Sequence, residues 1–427
     1  MPRVVEVQEV PGVEEALASG DAVACASRIA EILSRGTDRQ KVARTAAMAA
    51  ARHFHPSLPP LHGLPTLGAA LEIAPRVDSP ALPIVQVCAL AASEWRREPL
   101  SRAKHAVSGD ELHLGRSFLE MVPTSQAVEA DAIFSGLLRE GEERRFAGDA
   151  LFEACARDSA GGGHKRTFAV GSWRLARALG WIRGPVLLAP AVHLVAGAPQ
   201  DLTDHSEMLR NVGRARLDVE LAARNSLEID QTARNGYAIA LQAGPERLVS
   251  ELIAGLKRGR TLAGYGDMVA WTAAERVIAD PAALELLLLA LATRFLIGFS
   301  RTSYRVLALL TAARAVASAP GGELPRPAAI ADPDAALNEL ELAIEGDDAQ
   351  EAASLALGLA EAVEPQDVAR VLLRQASLQD AHTDGGHGLL LAAWATEFAT
   401  VAPGPALAAL AACLARTRKS RTIADGL

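Results

Sequence analysis

The chain has 427 residues, half of them hydrophobic and 22% charged, a balance that excludes a disordered chain and provides for one large core or two ordinary ones. A formal net charge of −8 argues against a general polyanion binder, because affinity for nucleic acid comes largely from neutralised phosphates, and no nucleic-acid partner is expected. Alanine and leucine dominate, aromatic residues make up 4%, and helical apolar spacing recurs from Val13 to Leu414, so the fold class is all-α.

In chain order the pattern reads as four degenerate helix-pair repeats packed into one compact helical domain. The first runs from the helix around Ile32, through a helix with Val42, Ala46, Ala49 and Ala50 on one face, to Leu61-His62-Gly63 and an apolar helix over residues 64–73. The second starts near Leu137, carries Leu151, Ala154 and Cys155 on its first helix, and reaches Gly162-Gly163-His164 before an apolar helix over residues 168–179. The third starts near Leu252 with Val269, Thr272 and Ala273 on its first helix; its counterpart stretch, residues 295–300, offers no histidine. The fourth starts near Leu357, carries Val371, Leu372 and Ala376, and passes through Gly385-Gly386-His387 into an apolar helix over residues 389–398.

Breaks fall at residues 77–80 and 198–201, and a Pro/Gly-rich linker spans 319–327, followed by an acidic stretch at 331–334. None is long enough for a tether, so residues 1–427 read as one domain, with copies one to three in 1–318 and copy four in 332–427. Gly264-Tyr265-Gly266 reads as a loop, and residues 418–427 as a polar end that frays. The basic runs His164-Lys165-Arg166 and 416–419 read as solvated helix faces. Cys25, Cys88, Cys155 and Cys413 show no CxxC spacing and suit core packing in a reducing, cytoplasmic setting. No apolar leader opens the chain, and the longest hydrophobic run, 282–291, contains Glu285 and falls short of the roughly 20 residues of a membrane span, so no membrane partner is expected.

The chemistry rests on histidine. Three of the four copies place a histidine beside glycine at the start of an apolar helix, and packing around a common axis brings His62, His164 and His387 together. Neutral imidazoles from separate helices suit iron, copper or zinc. His382, or else His53 or His55, is placed to supply a fourth ligand, and Asp158 and Asp380 to orient an imidazole as carboxylates behind metal ligands do. His105 and His113 read as loop residues, and His193 and His205 lie outside the pattern. No phosphate-binding loop, dinucleotide fingerprint, nucleophile elbow or HExxH motif is present, so no nucleotide cofactor site is expected.

The string Gly163-His164-Lys165-Arg166-Thr167-Phe168-Ala169, with Leu175-Ala176-Arg177-Ala178-Leu179-Gly180-Trp181, resembles the central signature of the questin oxidase-like family. Leu82-Pro83-Ile84-Val85-Gln86, Ala91-Ala92-Ser93-Glu94-Trp95 and Asp380-Ala381-His382 are similar to further stretches of that family, and the likeness covers roughly residues 40–400. The resemblance implies an all-helical oxygenase that opens quinone-like aromatic rings with dioxygen, using a non-haem iron held by histidines and a modified lysine. It assigns His62, His164 and either His382 or His387 as ligands. The chain departs from the pattern twice. Phe299-Ser300-Arg301-Thr302-Ser303-Tyr304 stands where the family has a histidine, and Gly385 stands where it has the lysine. Under this reading Tyr304 and Arg301 contact substrate, and Trp173 and Trp394 line an aromatic pocket. The alternative is a non-catalytic helical-repeat scaffold, or a degenerate relative that binds a partner or small molecule.

Overall fold

The computed structural model describes residues 9–57, 62–140, 144–181, 183–416 and 420–426. Pro59, Pro60 and Leu61 of the first turn, and Arg418 and Lys419 of the last basic run, lie outside them. Among the described residues the structure is 73% helical with 23 α-helices, and the only β pairing is an isolated bridge between Leu227 and Arg260. That follows from composition, since Ala and Leu pay little to enter a helix and β-branched runs are short.

Four apolar helices form the inner layer: Gly63–Ile73, His164–Ala178, Leu284–Phe299 and His387–Phe398. The first packs on the second and fourth, and the third closes the ring by packing on the same two. Glycines let the first and second approach closely: a Cβ on Gly171 would come within 2.4 Å of Pro65, and one on Gly68 within 3.2 Å of Leu175. Around this ring stand the helices that precede the inner ones, Arg39–Arg52, Arg145–Arg157, Leu262–Ala279 and Pro365–Leu378. Those that follow them, Leu82–Ser93, Gly184–Gly197, Tyr304–Ser318 and Pro403–Arg416, complete the outer layer. The inner helices are apolar on nearly every side because protein surrounds them.

The linker at 319–327 is non-helical, as its prolines and glycines require. It does not set the fourth pair apart: Pro403–Arg416 packs on Leu262–Ala279, and His387–Phe398 packs on Gly63–Ile73. All four cysteines are buried and stand outside any disulfide among the described residues.

Several local expectations fail for physical reasons. Gly264-Tyr265-Gly266 is not a loop but lies within the helix Leu262–Ala279, capped by the Thr261 side chain; glycine there accommodates Ile229, and the Tyr265 ring fills a gap at Gly255. His113 lies in the helix Glu111–Met121 instead of a loop. Lys165 and Arg166 do not form a solvated face: both are buried, Lys165 on Asp158, and Arg166 on Thr293, Thr311 and the carbonyls of Ala156 and Ala308. The apolar run 282–291 is part of a longer helical stretch, Pro281–Phe299, which is long and apolar enough by length and composition to cross a membrane. It forms one side of the inner ring and brings Glu285 to its end.

Candidate metal centre

All four inner helices present their N-terminal ends to one point. His62 is the residue before the first helix, His164 and His387 are the first residues of the second and fourth, and Glu285 is the second residue of the third. The glycine neighbours have a backbone cause. Gly163 and Gly386 precede their helices at φ +95° and +82°, a region that glycine enters freely. There is also no room for a side chain: a Cβ on Gly163 would lie 2.6 Å from Leu289, and one on Gly386 2.6 Å from Leu90. Gly63, after His62, would press a Cβ 2.6 Å from the carboxylate of Glu94.

The result is a cluster of imidazoles. The ring centroids of His62 and His387 are 4.5 Å apart and those of His62 and His164 are 5.4 Å apart. One ligand nitrogen from each of the three lies within 4.8 Å of the other two, so His62, His164 and His387 can hold a metal ion together. Glu285 faces the same point: its Oε1 is 2.6 Å from Nε2 of His387, and its Oε2 is 3.3 Å from Nε2 of His164.

Backbone carbonyls fix two of the rings. Nδ1 of His387 lies 2.6 Å from the Asp384 carbonyl, and Nδ1 of His164 contacts the Gly161 carbonyl. A carbonyl only accepts, so each Nδ1 carries a proton and each Nε2 faces the cluster. His62 is 3% exposed, and its Nε2 is buried without a hydrogen-bond partner. Burial, with His387 and His164 beside it, lowers its pKa to about 3, so it is neutral. Burial would lower His164 and His387 too, but the Glu285 carboxylate outweighs it and holds both above the ordinary histidine value. Burial opposes ionisation of Glu285 in turn, yet the two imidazoles hold it well below the usual carboxylate range.

Helix N-termini carry unpaired N–H groups and a positive dipole end, and two carboxylates answer them at the inner helices. Glu94 accepts from the backbone N–H of His62 at 3.1 Å and of Gly63 at 2.9 Å. Asp384 accepts from Gly386 and Gly388, both at 2.8 Å. Burial raises both acids, Glu94 to about 7. Asp158 accepts from the N–H groups of Ala160 and Asp201 at 2.9 Å and from Lys165 Nζ at 2.5 Å. The expected imidazole contact of Asp158 is therefore not made, because Lys165 and two amides occupy its oxygens. Asp380 likewise bonds to Ser420, Thr422, Ile423 and Gln86, anchoring the C-terminal segment instead of a histidine.

The other sequence candidates are dispersed. His382 sits in the turn before the fourth inner helix and is not part of the three-histidine group; its Nδ1 is buried without a partner. His53 stacks on Trp95 at 4.0 Å with Nδ1 on the Arg96 carbonyl, and His55 is exposed. Tyr304 is buried with its hydroxyl 3.2 Å from His205, whereas Arg301 is exposed. Trp173 packs in a cluster with Phe152, Trp181 and Phe299, and Trp394 lies under the Arg174 guanidinium.

Beside His387 a cleft of about 370 Å³ opens, floored by Pro281, Leu284 and Leu391, with Arg416 at its edge. Tyr304, Arg301, Trp173 and Trp394 do not border it. Clefts of about 340 Å³ at Trp181 and about 440 Å³ at Arg28 are bordered by none of the three histidines.

Sequence reasoning missed Glu285, Glu94 and Asp384. In sequence, residues 295–300 stand as the counterpart of the histidine turns, whereas the third inner helix begins about ten residues earlier, at Leu284. The signal was one carboxylate in the otherwise apolar run 282–291. No protein-family model, curated protein or solved structure matches this chain.

Proposed function

We propose that the protein is an oxidoreductase in which His62, His164 and His387 hold a non-haem metal, iron foremost with zinc or copper as alternatives, to oxidise a flat, quinone-like aromatic molecule with dioxygen. The observation that carries this reading is the convergence of three imidazoles from distant parts of the sequence, one of them buried with a free Nε2, at the end of an open cleft. Burying an unsatisfied imidazole nitrogen is costly, and a cation removes that cost for all three rings at once. The resemblance to questin oxidase-like proteins supports the choice of reaction.

When bound, such a metal supplies open coordination positions and one-electron chemistry toward dioxygen. The chain's own residues do the rest. Asp384 and the Gly161 carbonyl orient two imidazoles, Glu94 fixes the backbone of the third, and the apolar floor of Leu284 and Leu391 excludes water from one face of a planar ligand. A substrate at the hydroquinone level carries two electrons, so one oxygen atom enters the product and the other leaves as water. Arg416 at the cleft edge suits a phenolate or carboxylate on the substrate. A non-catalytic scaffold has no use for a closed ring of buried helices converging on imidazoles.

The test combines metal analysis after chelator-free purification with oxygen uptake on a panel of anthraquinones and hydroquinones, with and without ferrous iron. Stoichiometric metal lost in His62→Ala, His164→Ala and His387→Ala, with oxygen uptake on at least one panel member, is the expected result. Equal metal content in wild type and all three variants overturns the assignment of the ligands. Bound metal with no oxygen uptake and no ligand-induced stabilisation across the panel overturns the reaction.

A further inference from the structure

The quarter of the inner ring that has no histidine contributes a carboxylate instead. We propose that Glu285 is the fourth protein ligand of the metal, making a centre of three imidazoles and one carboxylate; this rests on the reading of the trio as a metal site.

The geometry requires a positive charge between Glu285 and the rings. With Nδ1 of His164 and His387 each donating to a carbonyl, a neutral ring turns the Nε2 lone pair toward Glu285. A lone pair and a carboxylate oxygen 2.6 Å apart repel unless a proton or a metal ion lies near both. Protons are an incomplete answer for two reasons. The His387 Nε2 is buried without an aligned hydrogen-bond partner although Oε1 is 2.6 Å away. His62 is buried and has no hydrogen-bond partner for its own Nε2 at all. One metal ion beside the carboxylate satisfies all three nitrogens together, and a proton on each of two rings leaves the third unpaired.

Charge leads to the same assignment. Four helix N-termini point their positive ends at the site, imidazoles that ligate through a lone pair bring no charge, and the Glu94 and Asp384 carboxylates are turned to backbone N–H groups. A divalent cation there needs an anionic ligand, and Glu285 is the carboxylate in contact with two of the histidines. Mixed imidazole and carboxylate donors suit Fe²⁺, Mn²⁺ or Zn²⁺ better than Cu⁺, which prefers sulfur. The same assignment explains why an acid interrupts the apolar run 282–291.

The experiment is titration of the metal-stripped full-length chain with Co²⁺, read by its visible absorption and by competition with a chromophoric chelator, for wild type, Glu285→Gln, Glu285→Asp and Glu94→Gln. Helical content by circular dichroism is recorded for each, so that loss of fold is separated from loss of binding. Wild type is expected to take one Co²⁺ per chain. Glu285→Gln is expected to bind at least 100-fold more weakly with a shifted spectrum, Glu285→Asp to fall between, and Glu94→Gln, which keeps only one of the two acceptors behind His62 and Gly63, to bind more weakly while the spectrum of the bound cobalt stays that of wild type. If wild type and Glu285→Gln bind within threefold of each other with the same spectrum, Glu285 is no ligand while the histidine centre stands. If folded wild type takes up no cobalt, the metal reading fails and this assignment fails with it.

Discussion

Asp158 and Lys165 form the anchor behind His164, and removing one partner tests whether that anchor positions the histidine. The Lys165 side chain is fully buried and that of Asp158 is 3% exposed, with Nζ and Oδ2 2.5 Å apart. Asp158→Asn keeps the shape and leaves a buried ammonium facing an amide and the carbonyls of Pro199 and Ala198. Breaking a buried ion pair from one side costs about 3–5 kcal/mol. Unfolding entropy of about 2.1 cal/mol/K per residue gives roughly 0.9 kcal/mol/K over 427 residues, so Tm falls by roughly 3–6 °C. Lys165→Met is expected to destabilise as well, because it strands the carboxylate on two backbone N–H groups. The double variant should recover at least about 2 kcal/mol of the summed losses, since the two residues form one unit. Calorimetry and urea unfolding of the wild type, both single variants and the double variant measure this cycle, and metal affinity in the same four proteins reports on His164. Strictly additive losses, or an Asp158→Asn protein as stable as wild type, would refute the reasoning.

Gly163→Ala forces a side chain into a φ of +95° and against Leu289, so it should lose roughly 1–3 kcal/mol from the backbone alone and weaken metal uptake. Gly162→Ala, with φ +65° and open space around it, should lose less, and thermal melts of the pair check the ordering. Glu94→Ala removes the acceptor for the His62 and Gly63 N–H groups, and metal affinity measured by chelator competition should drop about 10- to 100-fold, as it does when the groups behind metal ligands are removed. The pH dependence of stability should reverse with metal. In the metal-free protein His164 and His387 titrate above 6.5, so their stabilisation is complete below that pH and is lost as pH rises through their folded values. Glu285, held below 4.5, contributes above that pH and loses its contribution on acidification. Metal-loaded protein should instead gain stability as the imidazoles shed protons; melts from pH 5 to 8.5 with and without divalent metal should diverge, and parallel curves would count against a shared site.

Much of the architecture was legible before any coordinates because helix formation is local. Spacing of apolar residues at 3.6 and the punctuation by Gly and Pro place the starts of the inner helices at His62, His164 and His387 to within one to four residues. The same locality exposed the trio, since a histidine beside glycine recurs at three helix starts, and at His164 and His387 the preceding glycine has the positive φ that the turn needs. Closure of the ring was not local. The stretch 284–291 reads as an apolar helix, but an unbroken apolar run shows no periodicity that ties its start to the histidine positions, and in sequence Glu285 stands only as an obstacle to membrane insertion. The burial of Lys165 and Arg166 was equally invisible, for a charge run is identical in sequence whether water or Asp158, Thr293 and Thr311 surround it. Sequence determined which segments are helices and which side chains stand at their ends. Tertiary packing alone decided which ends meet, because the contacts that join residues 62, 164, 285 and 387 are made between helices far apart in the chain.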